Sequence, residues 1–174
     1  MLAVLETSFW VIACRAEVAA NCLDLFDIIV PAAVEAEILA PPSGRSAREY
    51  PYATLFRHLR DKFRAPPVDV PPLAAFGPGE AAAISLAEHL QAVLLINERP
   101  GAEYARNLGV QVATVPAVIV LLRSQGVISD RAARRKLGLI APNTAPGMIV
   151  QAMHALDVLG AEGLDGNENH QLEV

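Results

Sequence analysis

The run Val93-Leu94-Leu95-Ile96-Asn97-Glu98, followed by a helical pattern over Ala102 to Leu108, a stop at Gly109 and a second apolar run Val110-Gln111-Val112-Ala113, decides the fold. Two short apolar runs separated by one amphipathic helix form a strand-helix-strand unit, and that unit joins parallel strands. The same alternation extends outward in both directions. Upstream, Leu2 to Leu5 reads as a buried strand, with Ser8 as cap of a helix from about Phe9 that runs past Cys14 to Cys22. Asp27 to Val30 reads as a second strand, and Pro31 suits the first turn of a helix reaching about Leu39. A loop at Pro41 to Gly44 precedes a predicted helix over Arg48 to Phe63, and the prolines between Pro66 and Pro72 exclude regular helix. Gly77-Pro78-Gly79-Glu80 opens a helix over Ala81 to Leu90. Downstream, helices are predicted from about Pro116 to Ser124, Ser129 to Leu137 and Pro146 to Leu159. The class is therefore α/β, a mostly parallel sheet covered by helices, with further helices at the C-terminus. The division expected is residues 1–128 as the α/β domain, 129–160 as a helical extension and 161–174 as an acidic, flexible tail.

Composition excludes several classes of function. With 53% apolar residues in 174, the chain can bury a core without staples, so disulfide-framed and disordered readings fail. The two cysteines read as free thiols. No apolar run reaches the roughly 20 residues needed to span a bilayer, and Glu6 interrupts the only N-terminal apolar stretch, so a cytoplasmic protein is expected. The last 18 residues hold five acids and no Lys or Arg, which leaves the rest of the chain with 14 acids and 14 bases. The bases are clustered: Arg45, Arg48, Arg57, Arg60, Lys62 and Arg64 in one segment, and Arg131, Arg134, Arg135 and Lys136 in another. Such stripes suit either a phosphate backbone or a solvated helix face. No two of the four histidines have metal-ligand spacing, and neither GxGxxG nor GxxxxGK[ST] occurs. Trp10, Tyr50, Tyr52 and Phe56 read as core or interface aromatics.

In an open parallel sheet, ligands bind outside the carboxyl ends of the strands. Four acids fall there: Glu6 after the first strand, Glu37 on the helix after the second, Glu80 at the start of the Gly-Pro-Gly helix, and Glu98 after the strand Val93 to Ile96. Carboxylates converging on one edge repel one another unless a hard cation, Mg²⁺ or Mn²⁺, lies among them. Each also has a plainer reading: Glu6 and Glu80 suit helix N-termini, Glu37 suits a solvated helix position, and Glu98 is next to Arg99.

The segments Val4-Leu5-Glu6-Thr7-Ser8, Ile29-Val30-Pro31 through Val34 to Glu37-Ile38, Gly79-Glu80-Ala81 through Leu86, and Leu94-Leu95-Ile96-Asn97-Glu98-Arg99 through Gly109-Val110 resemble the PIN domain family over about residues 2 to 128. They are most similar to a prokaryotic branch of nucleic-acid-binding proteins often paired, as toxins, with small antitoxins. The resemblance implies a three-layer α/β/α fold and a Mg²⁺- or Mn²⁺-dependent endoribonuclease hydrolysing phosphodiesters. Carried over by position, Glu6, Glu37, Glu80 and Glu98 would be catalytic, with Glu6, Glu80 and Glu98 as metal ligands. Ser8, Asn97 and Thr114 would support them, and Arg45, Arg48, Arg57 and Arg60 would be candidate RNA contacts. RNA, an antitoxin and a second copy of the chain would be the partners, with Phe9, Trp10 and Val11 compatible with a homodimer. Glu6 stands where the family has Asp, Asn97 where it has an acid, and Ala102 where this branch commonly has Arg; Pro100-Gly101 would loosen the turn there. These departures imply a weakened or altered active site, with a catalytically degenerate RNA- or protein-binding module as the alternative.

Overall fold

The computed structural model describes residues 1–40 and 51–168, with side chains described to residue 161. The predicted loop at Pro41 to Gly44, the predicted helix start at Arg48, and Arg45 and Tyr50 lie outside the described residues, as does His170. The chain forms two compact units, Met1–Val115 and Pro116–Val174.

In the first unit, β1 (Leu2–Leu5), β2 (Asp27–Ile29), β3 (Val93–Leu95) and β4 (Val112–Ala113) form one sheet in the order β2-β1-β3-β4, parallel throughout. Val4 lies opposite Ile29 on one side and Leu94 on the other. The central strands are covered on both faces, which is why they read as unbroken apolar runs: Ala3, Val4, Leu5, Leu94 and Leu95 are fully buried. Helices α1 (Thr7–Arg15), α2 (Ala19–Leu25), α3 (Ala32–Leu39), α4 (Pro51–His58), α5 (Pro78–Leu90) and α6 (Arg99–Asn107) flank the sheet, giving the expected three-layer α/β/α class. The chain leaves β1 for β2 on one side, and β3 and β4 lie on the other. The strand order thus reverses between β1 and β3, and the crevice of the sheet opens at their carboxyl ends.

Several boundaries differ from expectation. The helix predicted to run unbroken through both cysteines is two helices, because Glu17 adopts φ 58° between them. Both thiols are free, and burial pushes each up to about 12, so neither is a ready nucleophile. The predicted helix ending at Phe63 stops at His58 and continues as a single 3₁₀ turn, Arg60–Lys62. Pro100 occupies the first turn of α6, where a missing N–H costs nothing, so the helix starts at Arg99 rather than Ala102.

Phe9, expected to be compatible with a dimer face, is instead a core residue, and Trp10 takes the core role of the two expected for it, each being 1% exposed. Trp10 stands edge-on to Phe56 and Phe63, with centroids 5.5 Å from each, and its indole Nε1 donates to the Tyr52 carbonyl at 2.9 Å. Phe56 stacks on Phe63 at 4.8 Å. This cluster anchors α4 to α1, so Phe56→Ala should lower stability by about 3–5 kcal/mol, measurable by urea unfolding.

The second unit comprises most of α7 (Val115–Ser124), then α8 (Asp130–Ile140), a 3₁₀ turn at Ala141–Asn143 and α9 (Pro146–Glu168). The Ser129 hydroxyl caps α8 by accepting from Ala132 N at 3.2 Å. Helix α9 continues beyond the predicted end at Leu159, as no proline follows Pro146 to stop it. Among the described residues no helix is long and apolar enough to cross a membrane.

Candidate functional site

The two segments that leave β1 and β3 are joined by one hydroxyl. Ser8 Oγ donates to Glu6 Oε2 and accepts from Asn97 N at 3.1 Å and Glu98 N at 3.2 Å. A hydroxyl has one donor and two acceptor positions, so Ser8 is saturated. Ser8 was expected to cap α1; Glu6 is the cap, its Oε2 accepting from Ser8 N at 2.8 Å, and Ser8 lies inside the first turn. The exchange follows from reach, because the extended backbone at Glu6 (φ −114°, ψ 153°) lets a Glu side chain fold back over the helix end that favours negative charge.

Glu37 is fixed from two directions. Thr7 Oγ1 donates to its Oε2 at 2.5 Å, and Gly79 N donates to its Oε1 at 2.8 Å. Gly79 makes that approach possible: a Cβ there would lie 2.6 Å from Glu37 Oε1, well inside contact distance. Glu80, the next residue, occupies space left at α6, where a Cβ on Gly101 would collide with its Oε1 and approach Ile96 Cδ1 to 2.8 Å. Gly101 was expected to loosen this turn; its lack of a side chain instead admits a carboxylate. Gly101→Ala should therefore displace Glu80 and, as an overpacking change, cost about 1–3 kcal/mol, read as a lower urea midpoint.

The carboxylates act on one another. Glu6 is 4% exposed, and burial raises its pKa most; donors from Ser8 and Phe9 oppose that, and the charge of Glu80 adds to it. Glu80 is raised first by burial, then by the charges of Glu98 and Glu37. No Lys or Arg pairs with any of the four in the described residues. Arg99, the sequence neighbour of Glu98, pairs with Glu103 at 2.7 Å. Arg60 pairs side-on with Glu35, its Nε and Nη2 donating to the two carboxylate oxygens at 2.7 and 2.8 Å. Glu35 and Glu37 thus divide on α3, one to a surface ion pair and one to the crevice.

Asn97 and Thr114, each 8% exposed, lie at the ends of β3 and β4. Asn97 Oδ1 accepts from Val115 N, the first residue of α7, at 3.3 Å. An amide at position 97 therefore has a structural use that leaves one charge fewer in the crevice. The second basic stripe is engaged within its own unit: Arg134 bridges Asp130 at 2.7 Å and Asp157 at 2.8 Å, and Lys136 is buried.

The sequence profile of the PIN-domain family matches residues 19–141, most of the chain. The chain belongs to the PIN-domain family. The matched stretch includes Glu37, Glu80, Glu98 and Thr114, and Glu6 precedes it. Among solved structures, this PIN domain is similar to a PilT N-terminus domain protein from the hyperthermophilic archaeon Sulfolobus solfataricus P2, at 17% identity and a TM-score of 0.42, over 66% of this chain and 87% of that one. No curated protein matches the sequence.

PIN domains are a nuclease-type fold that generally depends on divalent metal ions. Among the described residues, no group of three or more His, Cys, Asp or Glu side chains is drawn together closely enough to hold a metal ion. The donor chemistry nonetheless fits a hard cation: four carboxylates, with no basic partner among the described residues, are the ligand type that Mg²⁺ and Mn²⁺ take.

Proposed function

We propose that this PIN domain is an endoribonuclease that hydrolyses RNA phosphodiesters with Mg²⁺ or Mn²⁺ held by Glu6, Glu80 and Glu98, with Glu37 completing the catalytic group. The observation that supports it most is the position of Glu80, whose pKa is raised first by burial and then by the charges of Glu98 and Glu37, and whose own charge adds to the rise at Glu6, with no Lys or Arg among the described residues paired with any of them. Such excess negative charge at the switch point of a parallel sheet is stabilised by a bound cation. When bound, the cation supplies activation of a water, neutralisation of the scissile phosphate and stabilisation of the leaving oxygen.

The protein's own groups do the positioning. Ser8 ties the Glu6 carboxylate to the backbone of Asn97 and Glu98, which links the acid after β1 to the segment that carries the acid after β3. Thr7 and Gly79 N orient Glu37, and Gly101 leaves room for Glu80. Neither hydroxyl is a nucleophile here, because the Ser8 proton is given to Glu6 and the Thr7 proton to Glu37. Asn97 and Thr114 support the site at the ends of β3 and β4. Arg57 and Arg60, both exposed on the α4 side, are candidate RNA contacts, with Arg60 working from its ion pair with Glu35. Single-stranded RNA incubated with the protein and Mn²⁺ should be cut to fragments bearing 5′-phosphate and 3′-hydroxyl ends, and EDTA should stop the reaction. Cutting that persists in EDTA contradicts the proposal.

A second reading has its own support. The Glu6 carboxylate serves as a helix cap and Asn97 as a backbone acceptor, both structural uses that suit a PIN domain retained for binding alone. That module would bind RNA with an affinity that falls as salt rises and is indifferent to EDTA.

A further inference from the structure

One helical turn along α6 from Gly101, Tyr104 meets Phe76 edge-on, with ring centroids 5.0 Å apart and planes at 68°. Phe76 directly precedes Gly77, the N-cap of α5, and Gly101 is the residue against which Glu80 lies. Positions three apart on a helix lie on one face, about 5–6 Å apart between Cβ atoms, so Tyr104 stands one turn from the backbone against which Glu80 lies. Both rings are half-buried, unlike Trp10 and Phe56, which are 1% and 0% exposed. The fully buried positions of α5 and α6 are held by Ala81, Ile84, Ala102 and Ala105 among others, and neither ring is one of them.

The neighbourhood is acidic and repels phosphates, and Arg99, the nearest cation in sequence to Glu98, is occupied by Glu103. A strand held here needs attraction that does not depend on charge. Base stacking on aromatic rings supplies it, worth about 1–3 kcal/mol per base, and only an unpaired base exposes its face for it. We infer that Phe76 and Tyr104 form a stacking platform that receives an unpaired base of single-stranded RNA beside the carboxylate cluster. The identity of the ligand as RNA rests on the nuclease reading above.

The test separates the two proposals by measuring binding without cleavage. A fluorescein-labelled single-stranded RNA is titrated in EDTA with the full chain carrying Glu98→Gln, which lowers repulsion of the strand. In that background, Tyr104→Leu and Phe76→Leu keep an apolar side chain, and each should weaken binding roughly tenfold. Tyr104→Phe should retain it. An abasic oligomer of the same length should bind the parent about tenfold more weakly than RNA and should not distinguish the parent from the Leu variants. Should a Leu variant fail to fold, Tyr104→Trp provides a second reading: the indole emission it adds to that of the buried Trp10 should be quenched by unlabelled RNA. Equal binding by parent and Leu variants, no discrimination against the abasic strand, unquenched emission from the Tyr104→Trp protein, or a parent that does not bind overturns the platform. Loss of binding in the Leu variants beside a wild type that never cleaves RNA with Mn²⁺ would retain the platform and overturn the nuclease.

Discussion

Glu80→Gln should reduce Mn²⁺-dependent RNA cleavage by at least about a hundredfold, the scale seen when one group that stabilises developing charge is removed. The expectation comes from the place of Glu80 in the cluster. It is the carboxylate that the charges of both Glu98 and Glu37 act on, and the one whose charge reaches Glu6. The substitution is nearly isosteric, so the room left by Gly101 is still filled and the fold should persist. Steady-state cleavage of a labelled RNA, with circular dichroism to verify folding, measures the effect. Activity within a few fold of wild type would remove Glu80 from the reaction. An equal loss in Glu80→Gln and in a distant control such as Glu88→Gln would reduce the effect to general charge.

The second large effect is on stability. For Glu6 and Glu80 the folded-state pKa is raised above the ordinary 4.5, so across this window the folded protein holds protons more tightly than the unfolded chain. Stability from these two groups therefore falls as pH rises from about 4.5 through the raised values, and the penalty is complete only above them. Two consequences follow for the metal-free protein. Glu80→Gln should melt higher than wild type at pH 7, and the difference should shrink as pH falls toward 4.5. A bound divalent ion offsets the same repulsion. At a hundred times its Kd it adds about 2.7 kcal/mol, which for a chain of this length raises Tm by about 5 to 10 °C. Mn²⁺ should produce that rise at pH 7, less of it near pH 4.5, and none in Glu80→Gln. A thermal scan at three pH values with and without Mn²⁺ reads all of these. A wild type that melts identically with the ion, or a Glu80→Gln protein less stable than wild type at pH 7, would contradict the charge argument.

Much of this was legible in the sequence, and the reason is local. Leu2 to Leu5 and Val93 to Leu95 are apolar without a break because both faces of each strand are covered, and the acids follow them at once because a parallel sheet exposes its strand ends. What escaped depends on contacts far apart in the chain. No glycine or proline marks the break at Glu17, so one helix was expected where there are two. Gly101 looked like a weakness in α6 because its use, admitting Glu80 from α5, is a tertiary one. The exchange of capping roles between Ser8 and Glu6 turns on Asn97 and Glu98, some ninety residues away, whose backbone N–H groups claim the hydroxyl. Likewise, Phe76 and Tyr104 carry no signal until α5 and α6 bring them together. Basic stripes were the most misleading feature. Arg60 and Arg134 look free in sequence, and each is engaged by carboxylates that only the fold brings near.

The most direct measurement is a calorimetric titration of Mn²⁺ into the metal-free protein at neutral pH, with Glu37→Gln and Glu80→Gln alongside. Wild type should give a saturable heat, Glu37→Gln a weaker one and Glu80→Gln none. A wild type that takes up no Mn²⁺, or variants that bind it as well as wild type does, would mean that these carboxylates do not share an ion.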